Sequence, residues 1–169
     1  MNDRSKREKS DNCSPVFGFF GAIIFVIIMS AFGSPYDFVH KVDLMNVIPP
    51  IWLWKTTSAV WGFLLGFSAG KIVYTVNCRG VSIDGKIYAY RGGLFFIAAF
   101  FSGLSHYPLF FNAEKLFLSL VTAILAAIFS LICGFTWSKL KTLSATIMFA
   151  YSFWLFYVAF VNLQILFRI

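Results

Sequence analysis

Tyr151, Trp154, Val158, Asn162 and Ile165 recur at three- and four-residue intervals, which sets them on one face of a helix. Indole and phenol rings offer flat apolar faces with one polar tip each, so such a stripe suits stacking on a planar hydrophobic molecule. An asparagine in an apolar run needs a partner, and Asn162 could bond Tyr151, Trp61 or a ligand. Of these uses, plain helix–helix packing is the one the sequence favours, since polar residues in membrane helices often serve packing. A second stretch, Pro49 to Tyr74, has a similar character: Trp52, Trp54 and Trp61 lie near its start, and Gly62, Gly66 and Gly70 are spaced by four. Glycines at that spacing let another helix approach closely, including one from a second copy of the chain, and the same face could admit a flat ligand.

Acid–base, metal and nucleophile chemistry lack a comparable pattern. His40 and His106 fall at expected interfaces, no two histidines or carboxylates share a helix face in an apolar segment, and no glycine-rich phosphate loop follows a strand. Catalytic and metal-ligating residues are therefore assigned to none. Cys13, Cys78 and Cys133 have neither zinc spacing nor a disulfide framework. Cys13, just before an apolar run, is at most a candidate for acylation.

The chain that must position these residues is 59% hydrophobic and only 12% charged, which points to a polytopic membrane protein. A net charge of +7 does not imply nucleic acid as a partner, because the basic residues are scattered between apolar runs and form no stripe. The partner expected instead is the lipid bilayer.

The expected fold class is all-α, an integral membrane five-transmembrane-helix bundle. Residues 1–14 read as a polar cytoplasmic tail and 15–169 as a single five-helix domain. Pro15 to Gly33 is long enough to cross a hydrocarbon core of about 30 Å. Its basic start and Ala31-Phe32-Gly33 also fit the outline of a cleavable signal peptide, but the run is long for one. Residues 34–48 read as an interfacial loop or short amphipathic helix whose apolar members could cap a cavity. The proline pair Pro49-Pro50 suits the start of a helix, with the membrane span running from about Thr56 to Val76 and Lys71 snorkelling near its end. Residues 77–91, with Asp84-Gly85, read as a solvated connection or small hairpin. A third helix spans Gly92 to Ser105, and His106-Tyr107-Pro108 turns the chain. Asn112 caps a fourth helix ending near Trp137, with Glu114 in its first turn. The last helix covers Leu143 to Phe167.

Arg4, Lys6, Arg7, Lys9, Arg79, Lys86, Lys139 and Lys141 then share one side of the membrane, against Lys41, Lys115 and Arg168 on the other. The positive-inside rule puts the amino terminus in the cytoplasm of a plasma membrane.

With these elements in place, the chain resembles the TspO/translocator-protein family, the tryptophan-rich sensory proteins or peripheral benzodiazepine receptors. The segment from Ala150 to Asn162 is similar to that family's Pro-Tyr-x-x-Trp-x-x-Phe-Ala-x-x-Leu-Asn signature, with Tyr151, Trp154 and Asn162 in register. Pro49-Pro50 with Val60-Trp61 looks like the start of the family's second helix, and His106-x-Pro108 with Glu114 like its turn between helices three and four. Departures are Val47 for a tryptophan, about three residues inserted between Pro50 and Trp61, Leu65 for a tyrosine, and Ala69 on the usual glycine. Phe95 and Ala98 stand for asparagine and tryptophan, and Ala150 for the proline before Tyr151. The helix-three wall of the site is thus altered.

The resemblance implies a receptor or sensor that needs no cofactor and binds porphyrin, haem-like or other flat hydrophobic ligands, with sterols as a further class. A Leu/Val–Tyr–Lys/Arg sterol pattern is nonetheless lacking, since Tyr157 and Arg168 lie too far apart for it. The cavity would lie between helices two and five, with Trp61 and Trp154 stacking and Tyr151 and Asn162 orienting the ligand. Val158, Leu65, Phe95 and Ala98 would line it and Phe38 would close its mouth. Porphyrin degradation, transport, or a structural role with homodimerisation through the glycine face are the alternatives. The membrane would be a bacterial inner membrane or, in a eukaryote, the mitochondrial outer membrane.

Overall fold

The computed structural model describes residues 13–31, 51–78, 81–111 and 115–167. They form five helices: α1 (Cys13–Ala31), α2 (Ile51–Cys78), α3 (Ile83–Phe111), α4 (Leu116–Ser138) and α5 (Thr142–Leu166). Helices α2 to α5 are each long and apolar enough to cross a membrane, and α1 contributes a shorter apolar run, Pro15–Ile28. At a rise of about 1.5 Å per residue, α2 and α3 reach roughly 42 Å, so they tilt or project into the headgroups. The fold is the expected five-helix membrane bundle.

Neighbours follow a ring. The chief contacts are α1 on α2, α3 on α4 and α4 on α5; α2 meets α5 along a narrower seam and touches α3 only thinly. The inward stripes keep a four-three spacing. On α2 they are Trp54, Ser58, Trp61, Leu65, Ser68, Ile72 and Thr75; on α4, Ser119, Ala123, Ala126, Ser130, Cys133 and Trp137; on α5, Ser144, Met148, Tyr151, Leu155, Val158, Asn162 and Ile165. Nearly all are buried, with Trp61 half-buried. A 3.5-residue period keeps one face turned to a neighbour along the whole span, as in coiled coils.

Small residues set the approach. A Cβ on Gly21 would overlap the carbonyl oxygen of Gly62, and one on Gly66 would overlap that of Phe17. The glycine face of α2, open by sequence to a flat ligand or a second copy, is therefore occupied by α1 of the same chain. This corrects the homodimer and ligand readings of that face. On α3, a Cβ on Gly103 would lie 2.6 Å from the Tyr151 hydroxyl. Serines supply polar links where the backbones come close. Ser68 donates to the carbonyl of Ser144 at 3.3 Å and Ser144 to that of Ser68 at 3.1 Å, while Ser152 reaches the carbonyl of Ala127 at 2.8 Å.

Helix α3 departs most from expectation. Asp84-Gly85 begins a helix and not a hairpin, because Ser82 accepts from the amide of Gly85 at 3.2 Å as an N-cap and Asp84 sits favourably in the first turn. At the other end the helix passes through His106-Tyr107-Pro108 to Phe111. Pro108 forfeits one amide in the last turn, but His106, Tyr107 and Phe110 are buried against neighbours and hold the helix together. His106 is thus a buried residue, not an interfacial turn. Helix α4 starts at Leu116 with Lys115 at the cap position and no side-chain cap. Asn112 and Glu114 lie outside the described residues, as do Pro49-Pro50 and the 34–48 segment. Lys71, expected as an anchor, places its ammonium 5.4 Å from the centre of the Phe67 ring.

Because Gly66 is a contact within the chain, Gly66→Leu should lower the thermal midpoint in detergent. The expected loss is about 1–3 kcal/mol, the usual range for overpacking. An unchanged midpoint would show that α1 does not rest on that face.

Candidate functional site

An aromatic ladder runs along the seam between α2 and α5. Trp61 lies 5.3 Å from Tyr151 with the rings inclined at 53°. Two turns toward the start of α2, Trp54 meets Trp154 edge-on at 5.7 Å, and Trp154 continues to Tyr157 at 5.5 Å. Tyr151 and Trp54 are buried, whereas Trp61 and Trp154 are half-buried, so both indoles keep part of their surface free while packed against the core. Trp61 packs on Tyr151, and Leu65 and Tyr151 belong to the same core cluster against which Trp61 and Trp154 both pack. Trp154, however, sits on the flank of the α5 stripe, whose centre is Leu155. The indole partner of Trp154 is Trp54, which the sequence offered only as one of three tryptophans near the start of α2 and not as a site residue; its place seven residues before Trp61, two turns along the same face, was the available signal.

The polar end of the seam differs more from expectation. Asn162 bonds neither Tyr151 nor Trp61; its amide donates to the Ser119 hydroxyl on α4 at 2.6 Å. Nδ1 of His106 lies 3.1 Å from both the hydroxyl and the carbonyl oxygen of Ser119. One serine thus links α3, α4 and α5. Neither Oδ1 of Asn162 nor Nε1 of Trp54 has a partner among the described residues. Val158, Asn162, Trp54 and His106 border a void of about 10 Å³, room for roughly one water and far too small for a flat ligand. On the α3 side, Tyr107 and Ser58 share a hydrogen bond of 2.7 Å that ties α3 to α2.

Phe95 packs against the core and meets Phe129 with ring centres 6.3 Å apart. Ala98 is half-buried on the same helix. Phe38 lies outside the described residues. His106, Ser119, Ser58 and Tyr107 were missed as contributors because a serine or histidine in an apolar run gives no sign of its depth.

Five apolar helices, with indoles on one internal seam and polar side chains bonding between neighbouring helices beside it, define an integral membrane protein with an aromatic-walled interior. The TspO/MBR family model matches residues 16–168, and the chain belongs to that family. Neither curated proteins nor solved structures provide a match.

The shared serine makes a direct forecast. In a double-mutant cycle of Ser119→Ala and Asn162→Leu, unfolding in mixed micelles should give a coupling of about 0.6–1.7 kcal/mol, the range seen for interhelical hydrogen bonds in lipid. Strict additivity would remove the link between α4 and α5.

Proposed function

We propose that this TspO/MBR-family chain is a membrane receptor for a flat hydrophobic ligand of the porphyrin class, held at the α2–α5 seam. The observation that carries the reading is the placement of Trp61 and Trp154. Both indoles lie on the one seam, half-buried, beside the fully buried Tyr151. Trp61 and Trp154 stack on the ligand, because an indole face offers a large contact area at small entropic cost. Leu65, Val158 and Phe95 complete the apolar wall.

Asn162 acts at one remove, since its amide is engaged by Ser119 and only its Oδ1 is left to accept from a ligand or a water. Receptor fits better than proton-coupled carrier. Of the seven carboxylates in the chain, only Asp84 falls in a described helix, and it sits in a first turn and not at membrane depth. The basic residues of the α2–α3 and α4–α5 connections favour a cytoplasmic placement for that end of the bundle, together with the amino terminus.

Titration of the purified protein with protoporphyrin, read by the porphyrin absorbance band, should saturate. The double variant Trp61→Phe/Trp154→Leu should bind at least about ten-fold more weakly, equivalent to roughly 1.4 kcal/mol. Equal affinity in the two proteins would overturn the site.

A further inference from the structure

Where α2 and α3 touch only thinly, a groove of about 680 Å³ opens sideways between the second half of α2 and the first half of α3. We propose that this groove holds one acyl chain of an anionic phospholipid whose headgroup is bound at Lys86. Its α2 wall begins at Ala69, eight residues or about 12 Å along the helix beyond Trp61, and none of Trp54, Trp61, Tyr151 or Trp154 lines it. The inference does not depend on porphyrin binding.

The floor is apolar and wide, formed by Ile72 and Trp137. Along α3 the lining extends from Lys86 to Ile97, eleven residues or about 16 Å. Half of a hydrocarbon core of about 30 Å is about 15 Å, so the groove matches the depth of one leaflet. Its polar groups are at one end, where Lys86 and Asn77 flank the short α2–α3 connection. Charge at this end favours an anion. Lys86 lines the groove, and Leu140 of the α4–α5 connection packs beside Gly85 in the first turn of α3, which brings Lys139 and Lys141 to the same end of the bundle, against Asp84 in that turn. Near a membrane surface each such cation contributes about 1 kcal/mol toward anionic lipid.

Gly93 indicates why the groove is there. Of the four glycines on α3, Gly85, Gly92 and Gly103 each have a neighbour that a Cβ would strike, as at Trp137 above Gly92. At Gly93 a Cβ would meet nothing within 4 Å, and Gly93 lines the groove. Glycine in a helix interior costs about 1 kcal/mol relative to alanine. Here neither close helix contact nor an unusual backbone angle calls for it, whereas a smooth wall for a hydrocarbon chain does.

The same glycine supplies the test, because a Cβ added there meets no protein atom within 4 Å and a longer side chain starts out from the groove wall. Wild type, Gly93→Leu and Lys86→Glu would be delipidated, returned to nanodiscs of equal phosphatidylglycerol and phosphatidylcholine, and released for native mass spectrometry. Circular dichroism and elution volume would confirm that all three are folded. Wild type should retain one phosphatidylglycerol with at least five-fold preference. Gly93→Leu should lose the retained lipid of either headgroup, and Lys86→Glu should lose the preference. Equal retention and preference in folded Gly93→Leu would overturn the proposal. So would displacement of the wild-type lipid by protoporphyrin, which would make the occupant a tetrapyrrole.

Discussion

A lipid bilayer offers helices almost no hydrophobic reason to associate, since the tails outside are as apolar as the side chains inside. Close approach through small residues is what remains, and every other feature of this bundle rests on it. Gly18 and Gly21 on α1 face Gly62 and Gly66 on α2, alanines and serines line α4, and Gly103 lies under Tyr151. Where backbones come that near, a serine hydroxyl can reach a carbonyl on the next helix, as Ser68, Ser144 and Ser152 do. Large aromatic side chains then occupy what the small residues leave open.

This division of labour assigns the two ends of the α2–α5 seam different tasks. Toward the middle, Trp61 and Tyr151 present rings inclined to one another with little polar character. Toward the start of α2, Trp54, Asn162, His106 and Ser119 put polar groups at depth, most of them satisfied by one another. A ligand with a flat apolar body and a polar edge would find both characters within a few turns. The thin α2–α3 contact has the opposite character: apolar walls, a single glycine left open, and cations only at the rim.

The helical architecture was legible because apolar length and glycine spacing are strong signals, and the α5 stripe was read almost correctly. The stripe on α2 was harder to see. Its outward face is apolar too, so the contrast that marks an amphipathic helix in water is missing. Asp84-Gly85 and His106-Tyr107-Pro108 misled for a different reason. Both are turn signals in a soluble chain, but a Ser82 cap and the burial of Tyr107 and Phe110 make helix the better state here. The partner of Asn162 was out of reach, since nothing in the spacing pairs residue 162 with residue 119.

The reciprocal bonds between Ser68 and Ser144 carry one more implication. Each hydroxyl grips the other residue's carbonyl, so the two helices are fastened by a symmetric clasp whose halves share one pair of positions. Sliding α5 along α2 by even a single residue would undo both halves together and cost two hydroxyls their partners on the neighbouring helix, while each carbonyl would keep its own intrahelical bond. The clasp therefore fixes the register of α5 against α2 at one point along their shared seam.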